Sequence, residues 1–306
     1  KVKEPKVKKK RTKKDPSAPK RALSPYICFC RDVREYVKTE NGVDMIVENN
    51  NPLIQKPTGY DQINFMQKVR YEPEVNLSMD LGLFYSTTSE YSRYDRLIRY
   101  RGNKLRSAEW DYGPQRWFMG NFQLTKLNSN SNLYDKVQFT AAYQNFQESR
   151  FDRDFQSITR NIREETVDAF SFNTDLENQL SPKTELFYGV EYLYNKVAST
   201  GDEENINTNT FIPTVSRYPN GSDWQSLAAY MSIKYKPNSK FVFQSGIRYN
   251  HILVHADFTE NNQYLNLPFD KADINSGSFT GTAGISWLPS DMVQWKLNAS
   301  TAFRAP

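Results

Sequence analysis

Six arginines stand among aromatic rings in one polar stretch of the 306-residue chain: Arg93, Arg96, Arg99, Arg101, Arg106 and Arg116, interleaved with Tyr91, Tyr94, Tyr100, Trp110 and Tyr112. Guanidinium groups fork onto carboxylates and phosphates and lie over aromatic faces. The segment therefore has the chemistry to clamp an anionic ligand or lipopolysaccharide, with Arg93, Arg96, Arg99, Arg101 and Trp110 as the residues that would do it. Asp95, Glu109 and Asp111 lie in the same stretch and offer a second use for the arginines, as ion pairs that order a long loop. Both uses are open at the level of sequence.

A second concentration of charge lies at the N-terminus. Residues 1–21 hold eleven Lys and Arg against Glu4 and Asp15, a net +9 in a chain whose total is +5, so the remainder is acidic by four charges. Lys8-Lys9-Lys10-Arg11-Thr12-Lys13-Lys14 is too charged to fold alone and is expected to be disordered over 1–23. Such an arm neutralises nucleic-acid phosphates without reading sequence, gaining affinity from counterion release. A solvated tail or a localisation signal has the same composition.

Other chemistry is sparse. His251 and His255 are the only histidines, and two ligands without a nearby Cys or carboxylate cluster fall short of a metal site. Cys28 and Cys30 support neither a disulfide framework nor a zinc site and read as ordinary helix residues. There is no phosphate-binding loop, no dinucleotide fingerprint and no nucleophile–base pair, so neither an enzyme nor a cofactor is expected.

Two kinds of element must position these residues. Ser24 followed by Pro25 is a helix start, and Tyr26, Phe29, Val33 and Val37 then fall on one stripe, which predicts a helix over 24–41. A junction over 42–63 follows. Beyond it the period becomes two. Val75, Leu77, Met79, Leu81, Leu83 and Tyr85 alternate with polar or small residues, as do Leu186, Tyr188, Val190, Tyr192 and Tyr194, and again Val293, Trp295, Leu297 and Ala299. About ten strands are predicted: 64–71, 75–85, 117–127, 135–145, 167–177, 184–194, 225–235, 240–250, 278–287 and 293–303. Short links at 72–74, 128–132, 179–182, 236–239 and 288–291 alternate with long polar links at 86–116, 146–166, 198–224 and 251–277. Hairpins tied tightly at one end and open at the other are the layout of an outer-membrane barrel, whose lipid-facing positions come only at every second residue. A soluble β-sandwich or lipocalin-like barrel shares the period, but strands of ten or more residues with a charged second face favour the membrane reading. No apolar run reaches the ~18–20 residues of a spanning helix, and no secretory signal is recognised.

Two resemblances follow from particular motifs. Asp15-Pro16-Ser17-Ala18-Pro19-Lys20-Arg21-Ala22-Leu23-Ser24-Pro25-Tyr26, within about 8–41, resembles the start of a high-mobility-group box of the yeast non-histone chromosomal type. The resemblance implies duplex DNA as partner, met by Lys9, Lys10, Arg11, Lys13, Lys14 and Lys20 along the backbone. It also implies Arg21, Ser24 and Tyr26 at the minor groove, and Ile27 as a wedge between bases. Arg31 replaces a small polar residue of that family, and no pattern for the box's two further helices follows Asn41.

The second resemblance covers about 43–306. It is carried by Gln55-Lys56-Pro57-Thr58-Gly59-Tyr60-Asp61-Gln62-Ile63-Asn64, by Tyr91 to Arg99, by Ser107 to Gln115 and by Ala302 to Pro306. These stretches are similar to TonB-dependent outer-membrane receptors of the Bacteroidetes type. That similarity implies a 22-stranded barrel taking up a siderophore, cobalamin or glycan-type ligand, in outer-membrane lipid, with TonB as the energy-coupling partner. No TonB box, plug or second half of the barrel is recognised, so the fold expected over 64–306 is mainly β: a partial antiparallel transmembrane-type barrel, not competent alone, preceded by the basic arm and one helix. The alternatives are a chromatin protein acting through 8–41 in the nucleus, and a non-native fusion with neither activity. The identity of a transported ligand is not legible in the loops.

Overall fold

The computed structural model describes residues 37–38, 45–46, 55–128 and 131–304. Within the N-terminal part, β1 (Val37–Lys38) pairs antiparallel with β2 (Met45–Ile46). This differs from the sequence expectation, in which Val37 and Lys38 close a helix running to Asn41. β-branched Val37 and Ile46 favour extended backbone, and an isolated amphipathic helix of this length is marginal without a partner to pack on. The arm over 1–23 and the rest of the 24–41 helix lie outside the described residues, and so do all ten candidate DNA-contacting residues, Lys9 to Ile27.

The body is one large antiparallel sheet of thirteen strands whose main path holds ten, in chain order. These are β3 (Gln62–Glu74), β4 (Leu77–Thr88), β9 (Arg116–Leu127), β10 (Lys136–Asp154), β11 (Thr159–Ser181), β12 (Thr184–Asn205), β14 (Asp223–Asn238), β15 (Phe241–Asp257), β16 (Lys271–Ser290) and β17 (Val293–Ser300). All ten strands expected from the alternation are present. The sheet does not close on itself: β3 and β17 are its two edges. Among the described residues no helix is long and apolar enough to cross a membrane.

At one end the hairpins turn tightly, with Glu74 opposite Leu77, Ser181 opposite Thr184 and Ser290 opposite Val293. Asn238 shows why such turns form. Its side-chain oxygen accepts from the backbone N–H of Lys240 at 3.0 Å and of Phe241 at 3.1 Å, an Asx-type closure.

The other end departs from the expected layout. The stretch 146–166, read as a long polar loop, is strand almost throughout, because β10 and β11 stay paired as far as Arg153 and Arg160. β12 likewise runs to Asn205, where the short β13 (Thr210–Pro213) pairs back onto it, and 251–277 is mostly β15, a helix α2 of about two turns (Thr259–Leu265) and β16. The reason is chemical. Above Asp168 these strands carry polar side chains on both faces, so the ladder continues where the hydrophobic alternation stops.

Register decides which residues share a face. Tyr71–Met79, Leu81–Phe122, Ala141–Phe172, Phe172–Tyr192, Tyr192–Leu227, Ala229–Tyr249, Tyr249–Phe279 and Ile285–Leu297 are directly opposed pairs, so one face carries an apolar band across every strand. The band is exposed; Phe279, for instance, is 73% accessible, and among the described residues only Leu97, Ala108 and Ala228 are buried hydrophobics. In water such a surface would be a severe liability, and in hydrocarbon it is what burial requires. Aromatic rows bound it. Phe118, Tyr143, Phe170 and Tyr194 follow one another at 6.2, 4.8 and 6.5 Å, and Tyr235, Phe243, Phe241 and Trp287 line the tight-turn end at 6.5, 6.2 and 6.3 Å. Between the rows lie about nine residues per strand, roughly 25 Å along the normal at ~3.3 Å rise and ~40° tilt.

The opposite face is polar and internally paired. Lys234 and Lys236 donate to Glu185 at 2.8 and 2.9 Å, Lys136 to Glu177 at 2.8 Å, Arg248 to Glu191 at 2.5 Å, and the Tyr230 hydroxyl to Asp175. β11, at 23 residues, spans just under ~60 Å along the normal by the same geometry, about twice the band, so its far half stands clear of hydrocarbon.

Candidate functional site

The arginine-rich segment folds onto this far half. Two short antiparallel pairings hold it: β5 (Tyr91–Ser92) to β8 (Ser107–Tyr112), and β6 (Tyr100–Arg101) to β7 (Lys104–Leu105). A single helical turn α1 (Tyr94–Leu97) lies between them, with α2 the only other helix among the described residues. Leu97 and Ala108 are buried and anchor the fold of the segment. β8 then lies beside β10, with Tyr112 opposite Arg150 and Glu109 opposite Arg153.

That pairing sorts the segment's side chains onto two sides. Trp110 and Tyr112 share the side of Arg150 and Asp152, which is the polar face of the sheet. Three guanidiniums gather there. Arg93 sits 5.4 Å from the Trp110 ring centre and 5.6 Å from that of Tyr112. Arg96 is 5.0 Å from Trp110, and Arg150 is 5.7 and 4.9 Å from the two rings. Trp110 and Tyr112 meet edge to face at 5.1 Å. Arg93 is also forked onto Asp95 at 2.7 and 3.0 Å, which holds the Asp95 carboxyl below its ordinary pKa and raises that of Arg93. The Nε atoms of Arg96 and Arg150 are buried and make no hydrogen bond. A cationic cluster with two unsatisfied donors and an aromatic floor is chemically fit to receive an anionic or π-rich group.

Of the five residues singled out in sequence, the structure brings together Arg93, Arg96 and Trp110. Arg99 joins indirectly, donating to the Asp95 carbonyl at 2.9 Å. Arg101 lies apart on the β6–β7 hairpin, 3.9 Å from Asp154 and largely exposed. Arg150 was missed. It lies on a strand read as loop, and only the β8–β10 register reveals it.

The other side of β8 is an ion-pair clamp. Glu109 accepts from Arg160 Nε at 2.6 Å and Nη2 at 3.1 Å and from Arg153 Nε at 3.1 Å, while Arg160 Nη1 donates to Glu204 at 3.0 Å. Burial is the largest single influence on the Glu109 carboxyl and acts to raise its pKa, but the two guanidiniums outweigh it and the net shift is downward. The Arg160 pKa rises, chiefly through its bond to Glu109. Ion pairs therefore hold the segment both from within, through Arg93 and Asp95, and from the neighbouring strands, through Arg153 and Arg160, while Arg93, Arg96 and Arg150 surround Trp110.

The histidines take no part. His255 Nδ1 lies 2.6 Å from Asp273 across β15 and β16, which raises its pKa, and His251 is 3.3 Å from the Tyr249 hydroxyl. Among the described residues there is no group of His, Cys, Asp and Glu fit to hold a metal ion.

Comparison with known proteins accounts for the two textures of the chain separately. Over a short segment it is 58% identical across 36 residues to non-histone chromosomal protein 6 of Neurospora crassa and 55% identical across 38 residues to non-histone chromosomal protein 6A of Saccharomyces cerevisiae. Each match covers 12% of this chain, and 35% and 41% of those proteins. Among solved structures, the copper transporter OprC aligns at TM-score 0.58 and 12% identity over 77% of this chain and 35% of its own. The FrpB iron transporter from Neisseria meningitidis aligns at 0.56 and 14% over 88% and 40%, and the ferric citrate transporter FecA at 0.54 and 14% over 80% and 36%. The chain thus spans little more than a third of the length of the structures whose fold it shares. A family model for TonB-dependent receptor-like β-barrels matches residues 54–306, and on that match together with the apolar band the chain belongs to the TonB-dependent receptor β-barrel family.

Proposed function

We propose that this chain supplies barrel wall and outer rim to an energy-coupled uptake receptor of the outer membrane, for a siderophore, cobalamin or glycan-type ligand. The observation that carries this reading is the single apolar band running across all ten strands, with the Arg93–Arg96–Arg150 cluster around Trp110 held beyond it on the opposite, interior-facing side. An open ten-strand sheet and coverage of about a third of the solved receptors support reading it as part of a larger barrel. On that reading, import and coupling to TonB belong to the whole receptor. The test is light scattering on the purified full chain with and without detergent. A monodisperse particle only in detergent supports the reading, and a monodisperse monomer in plain buffer overturns it.

The 55–58% identity to chromosomal proteins over 36–38 residues favours a second reading for the N-terminal part, duplex DNA contact through Lys9, Lys10, Arg11, Lys13, Lys14, Lys20, Arg21, Ser24, Tyr26 and Ile27. It predicts binding that weakens steeply with salt, by a log–log slope of about −0.9 per phosphate neutralised. Binding that survives deletion of residues 1–21 contradicts it.

A further inference from the structure

A cavity of about 430 Å³ opens on the far half of β12, walled by β12, by the 213–220 connection and by α2. Its chemistry is the opposite of the Trp110 cluster. Hydroxyl and amide side chains dominate its lining, no Lys or Arg contributes, and Glu260 makes it negative. Gly201 makes the wall possible: a Cβ there would strike the Val215 carbonyl, and the Gly201 carbonyl accepts from Thr214 N–H at 2.8 Å. The floor is built by Asn261, 4% exposed, which donates to the Ser216 carbonyl at 3.3 Å and hydroxyl at 3.1 Å. The same amide's Oδ1 is buried without a hydrogen bond. Tyr264 donates to the Pro213 carbonyl at 3.1 Å, which fixes its ring at the mouth. Among the described residues, Glu260 and Gln263 make no side-chain hydrogen bond, so a carboxylate and an amide of the lining remain open.

We infer that this cavity binds a neutral polyhydroxylated ligand, a sugar chain. Vicinal hydroxyls donate to carboxylates and accept from an amide, and a pyranose lays its C–H face on an aromatic ring; the cavity offers all three groups. Its negative lining and lack of cations disfavour phosphate, sulfate and carboxylate ligands. The inference leans on the receptor reading only for access from outside the cell. Two sources share this chemistry, free oligosaccharides and the sugar chains of a surface glycolipid.

The test is saturation-transfer NMR on the full chain in a detergent without sugar groups. The probes are maltohexaose, cellohexaose, xylohexaose, a neutral O-polysaccharide freed of its lipid, and an oligogalacturonate. Binding of at least one neutral probe below about 1 mM is expected. It should weaken about tenfold in Gln263→Ala and again in Tyr264→Ala, with no change in Arg93→Ala. Which neutral probe binds tells the source. Absence of neutral binding, preference for the galacturonate, or indifference to both exposed-residue variants overturns the proposal. The light-scattering result above is independent of all these outcomes, so failure here and failure of the receptor reading are distinguishable.

Discussion

The two halves of β10 and β11 share one unbroken ladder but obey different rules. In the near half, Phe139, Ala141 and Tyr143 oppose Thr174, Phe172 and Phe170 on one face, while Gln138, Thr140 and Ala142 oppose Asp175, Asn173 and Ser171 on the other. In the far half, both faces carry charge. Arg163 reaches Asp152 at 3.2 Å on one side, and Arg153 and Arg160 share Glu109 on the other. Backbone pairing is indifferent to this change. Side-chain chemistry tracks what each face touches: hydrocarbon and polar interior in the near half, aqueous surroundings and packed ion pairs in the far half.

The largest effect should come from the far half. Glu109→Ala removes the carboxylate that Arg153, 1% exposed, and Arg160 share, and loss of one partner of a buried pair costs about 3–5 kcal/mol. Hydrogen exchange should show β8 and the turn at 155–158 opening while the apolar half stays protected; uniform loss of protection would erase the distinction between halves. Next comes the band itself. Phe172→Arg places a cation mid-band and should cost ~2–4 kcal/mol in denaturant titration in micelles, against ~0–1 kcal/mol for Ile162→Arg, on the same side of the same strand above the band. Equal costs would mean the band is not in hydrocarbon.

Acid sharpens the contrast. The Glu109 pKa is lower in the folded state than its unfolded value of ~4.3, so its contribution is complete above that value and is lost as pH falls through the folded one. The far half should therefore open first below about pH 4. Glu165 has the opposite sign. It is 6% exposed, its oxygens lack hydrogen bonds, Arg217 stands 3.8 Å off, and burial raises its pKa. Its ionisation costs stability as pH rises through the folded pKa, so Glu165→Gln should raise the far-half melting temperature at pH 7 and leave it unchanged below ~pH 4. The smallest effect belongs to Arg70, whose pairing with Glu72 at 2.7 Å is 61% exposed on both sides; Arg70→Ala should cost no more than ~0.5 kcal/mol.

The same contrast explains what was legible in the sequence. Where one face meets lipid and the other does not, period two shows directly, and strands such as 184–194 and 225–235 were placed within the observed β12 and β14. Where both faces are polar the period vanishes, so 146–166 reads as loop although its backbone is paired. Arg93, Arg96 and Trp110 were visible because they lie close in sequence. Arg150, Arg153 and Arg160 were not, because only the β8–β10–β11 register brings them to the segment. The polar cavity on β12 was invisible for the same reason: Ser199, Thr214 and Asn261 come from three separate stretches.

Neighbouring positions on β11 test the central claim most directly, that one face of the near half meets hydrocarbon. With Cys28 and Cys30 changed to Ser, spin labels would be placed singly at Phe172→Cys, Ser171→Cys and Ile162→Cys in the full chain in micelles, and their collisions with oxygen and with a water-soluble nickel chelate compared. The account predicts that the label at 172 favours oxygen while those at 171 and 162 favour the chelate. Equal accessibility at 171 and 172 would contradict it.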